Sequence, residues 1–277
     1  MSKTIEEIGG NAIIYTYPNG DYDIVCSSDQ WYHPAGWEEN TNRPREPTKP
    51  APREAGKKSE GQDQIRSMRR ARANLRRLAL ANEFRYFVTL TLDDRQVDRY
   101  DPKAIMRKVN RWLDNSVRRN GLNYILVPEL HRDGAIHFHG FFAGSGLAVA
   151  DSGTIRRPGD KKPRKPRSKK QREEWLAEGG QIVYNLPQWG LGFSTALELR
   201  GEYPQAVSYV CKYIGKQECQ RPMGRWYYSG GSLAAPAKDY VCMNYREVVE
   251  DYGDECLEVC IPGSSLAIVH HRTTRKD

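Results

Sequence analysis

The chain has 277 residues, with 43 Lys or Arg against 35 Asp or Glu, a net charge of +8, a pI near 9.1 and a mean hydropathy of −0.76. That length builds one sizeable domain with extensions or two small ones, and the positive balance favours a polyanionic partner. No run is long enough for a membrane span, and Met1-Ser2-Lys3-Thr4-Ile5-Glu6-Glu7 has no apolar signal core, so no membrane partner and a cytoplasmic location are expected. Cys26, Cys211, Cys219, Cys242, Cys256 and Cys260 show neither CxxC pairing nor disulfide-scaffold density and read as reduced thiols; a zinc role for Cys242, Cys256 and Cys260 is set aside.

In chain order, residues 11–27 alternate around Pro18-Asn19-Gly20 and predict a hairpin with Ile13, Tyr15, Tyr22, Ile24 and Cys26 pointing inward. Residues 38–61, rich in Pro, Lys, Arg and Glu, read as a flexible linker that closes an N-terminal segment, 1–61. From Asp63 to Asn82 the spacing of Ile65, Met68, Leu75, Leu78 and Leu80 predicts a helix. Arg66, Arg69, Arg70, Arg72, Arg76 and Arg77 cover much of the rest, a candidate phosphate-contacting surface. Residues 85–92 predict a strand with Tyr86, Val88, Leu90 and Leu92 on one face and Phe87, Thr89 and Thr91 on the other. Asp101 and Pro102 open a helix that carries Ile105, Met106, Val109, Trp112, Leu113 and Val117. Strands at 123–130 and 135–143 follow, joined through Arg132-Asp133-Gly134.

Residues 156–172 hold ten Lys or Arg against one Asp, with three prolines, and read as an exposed basic loop able to lie along DNA. Strands are predicted at 181–185 and 192–199, then a helix opened by Tyr203 and Pro204 that ends near Gly215. Short alternating runs in the C-terminal segment, 231–277, either extend the main sheet or form a separate β appendage. Trp189 and Asn185 are candidate substrate contacts, and Trp226, Tyr227 and Tyr228 either stack on bases or fill a core.

Two clusters carry chemistry. On the strand Ile136-His137-Phe138-His139-Gly140, His137 and His139 project from one face about 7 Å apart, able to converge on a divalent cation, while Ile136, Phe138 and Phe141 are assigned to the opposite, apolar side. Two imidazoles suit Mn²⁺, Zn²⁺ and other first-row metals better than Mg²⁺ alone. Glu129 is favoured as a third, oxygen ligand by a cross-strand approach to His137. His131, of the same parity, is the alternative; Asp133 is assigned to the turn, and His33, His270 and His271 to no site. Further on, Tyr209 and Tyr213 lie four residues apart on the expected helix, with Ala206, Val210 and Ile214 left to face the sheet. Lys212 and Lys216 form a second, cationic stripe that favours phenolate or holds phosphate.

The His-hydrophobe-His element, the Tyr-x-x-Lys-Tyr-x-x-Lys element and the upstream Phe87-Val88-Thr89-Leu90-Thr91-Leu92, in that family's order, resemble the three motifs of the HUH endonucleases, and most of all the rolling-circle replication initiators of phages and plasmids. The resemblance covers roughly residues 62–230. It implies an α+β domain of ferredoxin/RRM-like kind, an antiparallel sheet with helices packed mainly on one face. It also implies a metal-dependent endonuclease and strand transferase that uses Mn²⁺ or Mg²⁺ held by His137, His139 and a polar third ligand. Tyr209, at the position shared by single- and double-tyrosine members, would be the nucleophile that forms a 5′-phosphotyrosine, with Tyr213 a second nucleophile or a positioning group. Single-stranded origin DNA, a host polymerase and, since no Walker A loop is present, a host helicase are the partners implied, in the cytoplasm of a bacterial host. An HUH transposase or mobilisation relaxase fits the same motif order. A non-catalytic RRM-like nucleic-acid-binding protein would explain the charge and aromatics but not the histidines and tyrosines together.

Overall fold

The computed structural model describes residues 10–27, 60–200, 203–214, 221–243, 256–260 and 266–271. The chain divides into two units, Ser59–Ala234 and a discontinuous one made of Met1–Lys58 with Ala235–Asp277. Among the described residues no helix is long and apolar enough to cross a membrane.

The larger unit is built on β3 (Tyr86–Leu92), β4 (Asn123–Leu130), β5 (Ile136–Ala143), β6 (Ala150–Arg156), β7 (Gln181–Asn185), β8 (Gly192–Glu198) and β9 (Tyr228–Gly230), in the order β6-β7-β8-β3-β5-β4-β9. Every neighbouring pair is antiparallel, as expected for an α+β domain. The strict alternation of β3 buries Tyr86, Val88, Leu90 and Leu92, and this face joins Phe138 and Phe142 of β5 and Ala196 of β8 in the main core. On it lies α2 (Pro102–Asn120), through Ile105, Val109 and Leu113. Its ends are sharp for local reasons. The Asp101 carboxylate accepts from the backbone N–H groups of Lys103 and Ala104 at 2.8 and 3.2 Å. At the other end Gly121, left-handed at φ 59°, lets the chain close back onto Ser116 and Val117.

The other face of the sheet is covered too. Phe141 has the parity of His137 and His139, not of Phe138, and it is completely buried. Its ring meets Phe84, Phe87 and Tyr203 at centroid distances of 5.8, 6.4 and 6.0 Å. Tyr203 opens α4 (Tyr203–Cys211), which packs on α1 (Glu60–Leu80), with the Tyr203 hydroxyl donating to the Ala79 carbonyl at 2.8 Å. The assignment of Phe141 to the apolar side is therefore corrected, and so is the expectation of helices mainly on one face: α2 covers one face, and α1 with α4 cover part of the other. The buried side of α1 is Ala71, Leu75, Ala79 and Leu80, while Ile65 stays exposed.

Within the basic stretch 156–172, backbone bonds in both directions between Ile155 and Arg164, each 2.9 Å, pin a turn against β6. Ser168 then caps α3 (Lys169–Ala177), which buries none of its residues. The stretch is exposed and basic as predicted but is not simply a loop. β6 and α3 leave no clear signal in the sequence, α3 because a helix with no buried side has no apolar period to show.

In the smaller unit β1 (Ala12–Thr16) and β2 (Tyr22–Ser27) form the predicted hairpin, and β10 (Ala237–Val241), β12 (Leu266–His271) and β11 (Cys256–Cys260) complete a sheet in the order β10-β1-β2-β12-β11. The C-terminal strands thus join the N-terminal hairpin rather than the main sheet. Both hairpin faces are covered: Ile24 and Cys26 belong with Ala12 on one, while Ile13, opposite Val25, belongs to the other with Tyr15. Ile13 and Tyr15 therefore do not share a face with Ile24 and Cys26. The linker assigned to 38–61 lies outside the described residues up to residue 59, and Glu60 and Gly61 already belong to α1.

Candidate active site

Hydrogen-bond register brings β5 between β3 and β4, with Thr91 opposite His137, Thr89 opposite His139 and Glu129 opposite His137. All five side chains therefore share one face. The Thr89 hydroxyl is 3.1 Å from His139 Nδ1, and the Thr91 hydroxyl 3.4 Å from His137 Nδ1. A hydroxyl can donate or accept, so each threonine holds its imidazole in place whichever ring nitrogen carries the proton, and both rings present Nε2 outward. Gly140 is required directly beside them, because a Cβ there would lie 1.9 Å from the Ile125 carbonyl oxygen.

Glu129 reaches the site, but not as expected. Its carboxylate lies 2.9 Å from His139 Nε2, diagonal to its register partner His137, and both side chains are 13% exposed. His131 stacks on His137 with centroids 4.9 Å apart and the planes 22° from parallel. It also lies 3.3 Å from the Asp133 carboxylate, which is bound by the turn through the Ala135 N–H at 3.0 Å. Burial first, and then the nearby charges of His131 and His139, push the His137 pKa below its ordinary value against the pull of Glu129 and Asp133. A neutral imidazole is the form that binds metal.

The phenols come from the end of α4. The helix stops at Cys211 rather than near Gly215, which itself lies outside the described residues, and continues as a tightened turn. There the N–H groups of Lys212, Tyr213 and Ile214 bond to carbonyls three residues back, at 3.2, 3.0 and 3.2 Å. Val207, Val210 and Ile214 are buried beneath it. The Arg72 guanidinium of α1 donates to the Ile214 carbonyl at 2.9 and 2.5 Å, so this arginine, read from sequence as a phosphate contact, anchors the tyrosine turn instead. Held in this way, Tyr213 lies flat on His139, with centroids 4.0 Å apart and planes 13° from parallel. Tyr209 meets Tyr213 edge-on at 5.3 Å and Phe87 at 5.7 Å, and is 48% exposed.

The Tyr213 hydroxyl donates to the Tyr209 oxygen at 2.6 Å. Burial, then that hydrogen bond, then the charges of Tyr209 and Glu129 raise the Tyr213 pKa far above that of an ordinary phenol, with Arg156 pulling the other way. Tyr213 is thus a firmly protonated donor and Tyr209 the exposed acceptor, an arrangement that stabilises charge on the Tyr209 oxygen. Lys212 is exposed in the turn, and the loss of α-helical spacing there removes the expected lysine stripe; Lys216 lies outside the described residues.

The donor chemistry, two oriented imidazoles and a carboxylate, suits a divalent cation. Among the described residues no three His, Cys, Asp or Glu already surround a common point, and Glu129 closes directly on His139. Other sequence candidates belong elsewhere. Trp189 is buried against Trp112 and donates to the Thr91 carbonyl at 3.3 Å. Trp226 is 9% exposed and bonds Ser67 at 3.0 Å, and the Tyr228 hydroxyl donates to Met223 at 2.7 Å, while Asn185 is exposed. Sequence reasoning missed Arg72 as the anchor of the turn, because nothing local distinguishes it from its neighbouring arginines, and it left Thr89 and Thr91 as mere site-lining residues.

No curated protein and no solved structure matches the chain. Residues 85–218, just under half of it, match a family model of the replication-associated protein ORF2 type. The matched stretch contains Glu129, both site histidines and both tyrosines, and the similarity supports a Rep-type replication initiator with a part in DNA replication.

Proposed function

We propose that the chain is an HUH-type endonuclease that nicks and rejoins single-stranded DNA through a 5′-phosphotyrosine and so initiates rolling-circle replication. The observation that carries this reading is the packing of the tyrosine turn on the histidine strand: Tyr213 stacked on His139 at 4.0 Å and hydrogen-bonded to Tyr209 at 2.6 Å. A chance pair of core tyrosines would not leave one phenol half exposed and the other donating to it beside two threonine-held imidazoles.

His137, His139 and Glu129 would hold Mn²⁺ or Mg²⁺, which when bound withdraws charge from the scissile phosphate. The Tyr209 oxygen, relieved of its proton and accepting the hydrogen bond from Tyr213, attacks phosphorus. The bond from phosphorus to the 3′-oxygen breaks, and that oxygen leaves and takes up a proton as a free 3′-hydroxyl. The phosphodiester energy is retained in the tyrosyl link, so a later 3′-hydroxyl can reverse the step without ATP. Extension of the released 3′ end falls to a host polymerase, and unwinding to a host helicase.

The test is incubation of the full chain with single-stranded oligonucleotides tiling the encoding replicon, with Mn²⁺ or Mg²⁺ and with chelator, followed by denaturing gels and peptide mapping. A metal-dependent adduct on Tyr209 is expected. DNA carried only by Tyr213 would reverse the two roles, and no adduct on any oligonucleotide would end the covalent mechanism.

A further inference from the structure

Among the described residues four large hydrophobic side chains are exposed, and Phe193 is the most exposed at 67%, ahead of Tyr100, Tyr209 and Ile65. A single apolar side chain in water is ordinary. The address of this one is not. Thr91 lies opposite His137 on one side and opposite Phe193 on the other. His137, Thr91 and Phe193 therefore form one row across three strands, all on the site face, with Phe193 about 10 Å from the histidine by the usual strand spacing. The next row is His139, Thr89 and Thr195, and Thr195 is exposed too.

The backbone that carries Phe193 is clamped on both sides. Gly192 approaches β3 so closely that a Cβ would lie 2.3 Å from the Thr91 carbonyl oxygen. Ser194, on the opposite face and buried, accepts from the Leu186 N–H at 2.9 Å. The fold thus fixes the root of an aromatic ring and leaves the ring in solvent, so little ordering cost remains when a flat ligand lands on it. Positive charge lies on the same side: exposed Arg156 ends β6, and its charge is felt at Tyr213.

We propose that Phe193 is a stacking platform for an unpaired base of the substrate strand, a nucleotide neighbouring the phosphate held at His137. The inference rests on the reading of the site as one for single-stranded DNA and adds how that strand is gripped. Every base presents a π face, so the contact selects unpaired over paired DNA rather than one base over another.

The experiment measures the affinity of the full-length protein for a labelled mixed-sequence single-stranded oligonucleotide and its duplex, in chelator so that no chemistry intervenes. Phe193→Ala should weaken single-strand binding about 5- to 150-fold, the range for losing one base–aromatic stack, and leave duplex binding unchanged. Phe193→Trp should restore it, and Phe193→Leu should not. Unchanged affinity in the alanine variant overturns the proposal, as does full rescue by leucine, which would mark a merely apolar contact. Loss of self-association in sedimentation with DNA affinity intact overturns it in favour of a second copy of the chain. Failure of the nicking reading is separable: Phe193-dependent binding with no covalent adduct sinks only the chemistry, and an adduct with Phe193-independent binding sinks only the platform.

Discussion

The two faces of the β3–β5 pair share one backbone and have opposite physics. On one, Val88, Leu90 and Phe138 are wholly buried under α2. On the other, Thr89, Thr91, His137 and His139 are half-buried and joined by hydroxyl–imidazole contacts. The first face supplies stability through area removed from water, and the second commits polar groups to orientation. The site face is itself divided. Its Phe87–Phe141 end lies against α4, while its Thr91–Phe193 end opens to solvent, with the tyrosine turn between them.

That contrast breaks if His139→Ala unfolds the protein or leaves cleavage intact; we expect cleavage to vanish with little change in melting temperature. Phe138→Ala should do the reverse, costing about 3–5 kcal/mol in denaturant unfolding while molecules that remain folded still nick DNA. Thr89→Val and Thr91→Val keep shape and remove only the hydroxyl. Each should weaken Mn²⁺ binding about 10- to 100-fold in calorimetry, and equal affinity would show that the threonines do not orient the rings. Tyr213→Phe keeps the stack on His139 and loses one hydrogen bond, so single-turnover adduct formation on Tyr209 should slow by about 2- to 12-fold, with a second cut impaired more. A smaller effect is expected with pH. The folded pKa of His137 lies below its unfolded value, so in chelator the unfolded chain binds the extra proton first, and stability falls as pH drops through about 6.5. His137→Gln should flatten that limb of the melting profile.

Much of this was legible locally. Alternation in β3, the Asp101 and Pro102 start of α2, the Asp133-Gly134 turn and the parity of the histidines all depend on residues within a turn or a strand of one another. Phe141 departs from the expectation because an apolar residue on a strand need not face the larger core: α1 and α4 bury part of the site face as well. The lysine stripe failed because α4 tightens after Cys211, and the Arg72 bond that anchors the turn joins residues 142 positions apart. The union of the hairpin with β10, β11 and β12 is longer in range still.

The sequence by itself determined which side chains could do chemistry and which face of each strand they take, since a period of two is a property of the backbone alone. Tertiary structure decided the rest: that Glu129 turns to His139 rather than His137, that Tyr213 lies on His139 and donates to Tyr209, and that Phe193 stands uncovered in the row of His137. Those outcomes depend on which distant segments pack together. That choice is made by the whole core at once and leaves no periodic mark on any one segment.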